Sequence, residues 1–296
     1  MSGVGLAIAA SLAWSGLDAM RKRLGGRLGA VPLVVVMCGG QLPLFGAWAA
    51  WGGEFERGLA RGYLAPGLAL LALNLAANVA FVEAVRRSAF SVTLPWLSFT
   101  PVFSALVAGP LLGERAGVAQ WLGAGVVVVG ALMLGAAGAQ RGDERGVRAL
   151  GRALVREPGP LLMLATAAAW STTAVLDKVA LQHTGPALHA AVQVGGVGLG
   201  LAGWLALRGQ LATLRPALAA APAVALTVGF SALAIGLQLS AVQLVAVATV
   251  ETIKRAVGLG AAIVLGRVLF AEPVTLLNVL AIVAMGLGST LAITGP

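Results

Sequence analysis

The chain has 296 residues, of which 59% are hydrophobic and 10% charged, whereas a soluble globular domain carries roughly a quarter of its residues charged. A membrane span takes about 20 mostly apolar residues, so the charged loops leave room for roughly ten spans and exclude a separate soluble domain. The net charge of +9 does not point to nucleic acid, because the arginines sit between apolar stretches, as loop anchors do.

Apolar runs bounded by charge, proline or glycine fall at 3–20, 30–52, 62–84, 88–110 and 116–138, then at 159–181, 186–207, 216–238, 243–266 and 273–294. The first is followed by Arg21, Lys22 and Arg23 and by no convincing cleavage site, so it is expected to be a span and not a signal peptide. Cys38, the only cysteine, lies in the second run; it excludes an intrachain disulfide and a multi-cysteine metal site. The most polar stretch, Gln140 to Glu157, carries Arg141, Asp143, Glu144, Arg145, Arg148, Arg152 and Arg156 and is expected to link two halves. His183 and His189 are too few for a metal cage and are expected in a loop or at an interface.

Self-similarity supports the two halves. Ala13-Trp14-Ser15 with Lys22 matches Ala169-Trp170-Ser171 with Lys178 at an offset of 156 residues. Leu111-Leu112-Gly113-Glu114-Arg115 matches Leu269-Phe270-Ala271-Glu272-Pro273 at an offset of 158. A unit with an odd number of spans inserts its second copy upside down. The expected fold is therefore an all-α membrane protein of ten transmembrane helices arranged as two inverted five-helix repeats, 1–139 and 158–296, joined by the linker 140–157. The odd-numbered loops hold 14 Lys and Arg and the even-numbered loops 4, which puts the odd loops in the cytoplasm and both termini outside. Pairs such as Gly109 with Gly113, or Gly196 with Gly200, have the spacing that lets helix backbones approach.

Three groups of residues interrupt the apolar spans. Glu251, Lys254 and Arg255 lie near the middle of span nine, where a charged residue costs roughly 2.5–3.5 kcal/mol on insertion scales. Spacings of three and four put them on one helical face together with Gly258. They make either an internal ion pair that locks helices together or a solute site in a wet cavity. In the second case Arg255 offers a planar fork to a carboxylate or phosphate and Lys254 a point charge, while Glu251 holds the cations in place or binds a coupling proton. Asn74 and Asn78, one turn apart on span three, line either a packing seam or a cavity. Gln238 and Thr249 are weaker candidates of the same kind. Pro95 and Pro101 free backbone carbonyls in span four and suggest a bent helix beside the path. Trp96, Trp14 and Trp170 are candidates to wall it, whereas Trp48 and Trp51 suit an interfacial anchor. Asp18 and Asp177 are expected to pair near the surface with Arg21, Lys22 and Lys178. Glu114 and Glu272 are expected to fix loop geometry.

The closing elements Leu111-Leu112-Gly113-Glu114 and Phe270-Ala271-Glu272-Pro273, Ala13-Trp14-Ser15, and the run from Leu94 through Pro95-Trp96-Leu97-Ser98-Phe99-Thr100-Pro101 to Phe103 resemble the drug/metabolite transporter superfamily, in particular its EamA type, over essentially the whole chain. That resemblance implies a secondary transporter and cytoplasmic termini, opposite to the charge count. More narrowly, Ile253-Lys254-Arg255 is similar to the sugar-phosphate/phosphate translocators of plastids, in which a lysine-arginine pair on this helix contacts substrate phosphate. Those translocators carry a further lysine in span four, where this chain has Trp96 and Leu97.

The expected function is alternating-access transport of a small polar, anionic metabolite, carboxylated or phosphorylated, in a bacterial inner membrane. The substrate site takes Lys254, Arg255, Glu251, Asn74, Asn78, Trp96 and Gln238. The alternatives are an exporter of amphiphilic or cationic compounds and a non-transporting scaffold subunit. An enzyme is not expected, because no nucleophile–base set or histidine-rich span is visible. The expected partners are the lipid bilayer, a small-molecule substrate, and a coupling proton or exchanged solute, with the chain acting as a monomer or homodimer. No cofactor, metal or nucleic acid is expected, and no nucleotide-binding signature is present.

Overall fold

A computed structural model describes residues 2–24, 28–88, 93–138, 140–141, 144–270 and 276–294. A backbone in an apolar solvent must satisfy its own polar groups, and a helix does so within one segment. The apolar runs accordingly form long helices: α1 (Gly3–Leu24), α2 (Ala30–Trp51), α3 (Leu64–Arg87), α4 (Thr100–Leu112) and α5 (Val118–Gly138), then α6 (Pro158–Ala180), α7 (Pro186–Leu207), α8 (Ala221–Leu244), α9 (Val247–Phe270) and α10 (Leu276–Thr294). Among the described residues, eight helical segments are long and apolar enough to cross a membrane, the last of them Ala221–Leu244. Helix α9 carries Glu251, Lys254, Arg255 and Arg267, and α10 contains a shorter apolar stretch, Val279–Ile293.

Three expectations change in detail. The fourth run is not one continuous α-helix. It begins as a 3-10 helix, Leu94–Phe99, and becomes α-helical at Thr100, with a proline in the first turn of each part. Pro95 and Pro101 lack the amide hydrogen that a helix interior requires and are tolerated where that hydrogen has no intrahelical acceptor. The runs expected at 216–238 and 243–266 lie at 221–244 and 247–270, because Pro216 opens a separate short turn, Pro216–Ala219. The linker is structured: Gln140–Arg141 and Glu144–Arg145 form a two-residue antiparallel ladder, and Val147–Arg156 forms a helix. Ala149 and Ala153 of that helix are buried with Ala136 of α5, while Arg148, Arg152 and Arg156, four residues apart, are exposed.

The described chain divides into two compact units, residues 1–75 with 176–244 and residues 76–175 with 245–296. In the first, α1 packs on α8 and α2 on α7. Gly16 admits the ring of Phe230 against the α1 backbone. Gly196 and Gly200 face Leu71 and Leu75 of α3, so their spacing does serve close approach. Gly113 instead ends α4 at φ 71°, with its amide donating to Gly109 O at 3.0 Å, a left-handed cap that favours glycine.

In the second unit α5 packs on α10, and α4 on α9. Gly123 abuts Gly288 and Ala292, and Gly130 abuts Met285, so α5 and α10 run antiparallel. The same holds for α4 and α9, since Glu114 beyond the end of α4 meets the first residue of α9, Val247. In the first unit it holds for α2 and α7, where Ala49 lies with Ala187 and Cys38 with Gly198. These partners stand five helices apart in sequence, so each unit draws helices from both halves of the chain. Ser15 and Ser171, matched in the sequence repeat, each donate to the carbonyl four residues earlier, at 2.9 and 2.6 Å.

Candidate functional site

Helix α9 starts under a carboxylate cap. Glu114 Oε2 accepts from Val247 N at 3.0 Å, placing negative charge where the helix dipole favours it. The expected role of Glu114 in fixing loop geometry is thereby given a partner; Glu272 lies outside the described residues. One turn further on, Glu251 is 1% exposed and accepts from Lys254 Nζ, three residues along the same helix. The Lys254 side chain is 18% exposed and Arg255 is half-buried. Arg255 Nε donates to Thr100 Oγ1 at 2.8 Å, tying the charged turn of α9 to the first residue of α4.

Thr100 is fully buried, and its carbonyl accepts from Ser171 Oγ at 3.0 Å. Around it the 3-10 segment and α4 supply aromatic rings. Trp96 stacks on Phe99 at 5.8 Å between centroids, and Phe99 lies 6.3 Å from Phe103. Phe81 and Trp170 belong to the same cluster, 5.5 Å apart. Trp96 Nε1 and Ser104 Oγ are buried with no hydrogen-bond partner among the described residues, a state that costs free energy until a partner arrives. The second unit thus holds Glu251, Lys254, Arg255, Trp96 and Asn78. It joins Arg255 to Thr100, a residue that the sequence offered only inside the span-four motif.

Asn74 and Gln238 lie in the first unit. Gln238 Oε1 accepts from Trp14 Nε1 at 2.8 Å, which gives the first-repeat tryptophan a partner on α8. Asn74 and Asn78 are half-buried on α3. Thr249 is a packing residue: its Oγ1 accepts from Gln120 Nε2 of α5 at 3.3 Å and donates to Ala292 O of α10 at 3.5 Å. Trp51 is 94% exposed, as an interfacial anchor would be.

Asp18 meets Arg21 at 3.4 Å near the surface, as expected. Asp177 has an unexpected partner in His189, which takes the second of its two expected places, an interface between helices. His189 is 1% exposed, its Nε2 lies 3.0 Å from Asp177 Oδ1, and its Nδ1 lies 2.9 Å from the Tyr63 hydroxyl. The sequence carried a signal for this. Gly185 and Pro186 are a helix cap and first turn, so a histidine three residues later stands inside α7 and not in a loop. Glu54 reinforces that turn, its Oε2 accepting from Leu188 N at 2.7 Å.

Among the described residues no group of three or more His, Cys, Asp or Glu is placed to hold a metal. Two surface grooves lie in the first unit between α2 and α8. One of about 770 Å3 is lined by Val36, Gly40, Leu44 and Arg215; one of about 310 Å3 is lined by Phe45, Trp48, Gly236 and Ser240. Neither includes a residue of the α9 cluster.

Residues 1–136 match the EamA-like transporter family. A solved protein crystal structure has the same fold, with a TM-score of 0.75 and 17% identity over 98% of this chain and 96% of the other. No curated protein matches the sequence.

Proposed function

We propose that this chain, whose residues 1–136 belong to the EamA-like transporter family, is a secondary transporter that moves a small anionic metabolite, carboxylated or phosphorylated, by alternating access. The observation that carries this reading is the charge balance of one turn of α9. Glu251, Lys254 and Arg255 together carry one net positive charge within one turn of an apolar helix, with Glu251 paired to Lys254 and Arg255 donating to Thr100. Such charge is costly in a membrane and is characteristic of a solute path. An anion beside it would be matched in charge, and Trp96 Nε1 and Ser104 Oγ, which have no hydrogen-bond partner among the described residues, could donate to its oxygens.

The antiparallel contacts of α2 with α7, α4 with α9 and α5 with α10 support the inverted-repeat plan, because helices equivalent under an inverted five-helix repeat must run in opposite directions. On this reading the bilayer is the solvent, the bacterial inner membrane the location, and the chain works as a monomer or homodimer without a cofactor or catalysis. A second reading, export of amphiphilic or cationic compounds, is favoured by the ring cluster of Phe81, Trp96, Phe99, Phe103 and Trp170, since aromatic faces attract cations.

A thermal-shift screen of the purified chain against carboxylated, phosphorylated and cationic metabolites separates the two, followed by uptake of any hit into proteoliposomes. Stabilisation by anions that is lost in Arg255→Ala supports the first reading. Stabilisation by cations alone sinks it in favour of the second.

A further inference from the structure

At the end of the first unit where α6 finishes and α7 starts, both ring nitrogens of a buried histidine are engaged. An ionised carboxylate only accepts hydrogen bonds, so with Asp177 Oδ1 at 3.0 Å the hydrogen of neutral His189 sits on Nε2. Nδ1 then accepts from the Tyr63 phenol at 2.9 Å. One turn along α7, Gln193 Nε2 donates to Gly67 O of α3 at 3.1 Å and reaches the Tyr63 oxygen at 3.4 Å. Gln193 Oε1 is buried with no hydrogen-bond partner among the described residues. The cluster therefore holds one acceptor more than its donors fill.

We propose that His189 is a proton-binding site, and that taking up a proton there releases α7 from α3. A proton arriving at Nδ1 converts that atom from acceptor to donor, directed at the Tyr63 oxygen. The phenol hydrogen must then leave the imidazole and find another acceptor, and Gln193 Oε1 is the one at hand. Turning the amide to receive it draws Nε2 away from Gly67 O and releases the tie between α7 and α3. The balance is one proton gained; the phenol keeps its hydrogen and only its acceptor changes. The imidazolium is matched by the carboxylate of Asp177, a pairing that makes histidine a proton switch.

The other groups packed around α7 do not compete for this proton. From the turn after α2, Glu54 is engaged by Leu188 N at 2.7 Å. His183 sits in the loop against Gly62. Helix α8 has no titratable side chain, and α2 has only Cys38, which lies against Gly198 more than two turns further along α7. Lys178 follows Asp177 on α6 and is half-buried.

Two measurements on the full chain in lipid nanodiscs test the site with the proton itself as probe. Nitrogen-15 NMR of the imidazoles, with His183→Gln for assignment, is followed from about pH 8.5 to about pH 4.5. His189 is expected as the Nε2–H tautomer at the alkaline end and as imidazolium at the acid end. The imidazolium signal at the acid end is expected to weaken at least about fivefold in Asp177→Asn and about threefold in Gln193→Leu. The protection factor of the Gly67 turn of α3, the intrinsic exchange rate at each pH divided by the observed one, is expected to be about fivefold lower in acid for the wild type, and insensitive to pH in His189→Gln. A His189 that stays neutral throughout overturns the proton site, and a protection factor that does not change with pH overturns the switch. Neither measurement involves a solute, so failure of the transport reading and failure of the proton site are told apart.

Discussion

Arg255 Nε donates to Thr100 Oγ1 across 2.8 Å, so a charged turn and the head of a kinked span share one hydrogen bond. A hydrogen bond to a charged group contributes about 1.5–3 kcal/mol. Thr100→Val keeps the shape and removes the acceptor; the melting temperature is expected to fall and initial uptake into proteoliposomes to drop about tenfold. Thr100→Ser should restore it. Wild-type uptake in the valine variant would separate Thr100 from the path.

Lys254→Ala and Arg255→Ala should each abolish uptake while the protein still elutes as a single folded species. Both side chains are half-buried, so truncation removes charge without opening a deep void. Unchanged transport in both would remove them from the solute route.

Glu251 is expected to matter more for stability than for flux. It is buried against the partly exposed Lys254, and removing it strands an ammonium in an apolar bundle. Glu251→Ala should cost about 1–3 kcal/mol, less than for a fully buried pair because Lys254 retains some access to water. The double variant Glu251→Met with Lys254→Met should cost less than the single one. A double variant that melts lower than Glu251→Ala would contradict the pairing.

The α5–α10 seam gives a steric prediction with its own control. A methyl on Gly288 would stand 2.7 Å from the Gly123 carbonyl oxygen, whereas one on Gly125 meets nothing within 4 Å. Gly288→Ala should destabilise by about 1–3 kcal/mol through overpacking, and Gly125→Ala should be neutral or slightly stabilising. Equal melting temperatures for the two would show that the seam can relax.

The loop charges make an orientation prediction. With 14 basic residues in odd loops against 4 in even ones, a reporter fused after Pro296 should score as outside the cytoplasm. A cytoplasmic signal would favour the orientation usual in the superfamily.

Helix positions were legible because apolar runs in a membrane leave the backbone few alternatives, and the charges of α9 stood out because each is expensive there. What stayed hidden depended on partners distant in sequence. Nothing in the spacing of Thr100 and Arg255 says that they meet. Two scattered histidines suggest no site, so the sequence leaves His189 between a loop and an interface, although Gly185-Pro186 marks a helix start that favours the latter. The helix Val147–Arg156 is hidden by its arginines: three of its ten residues are basic, and only the buried Ala149 and Ala153 on the adjoining face reveal that it packs.

The antiparallel partnering of α2 with α7, α4 with α9 and α5 with α10 has a genetic consequence. A break in the polypeptide within residues 140–157 would leave two fragments, each with one member of every such couple and an unsatisfied face along it. Neither fragment alone should accumulate, and the two made together should reassemble, so the peptide connection at the centre is dispensable in a way that the couples are not.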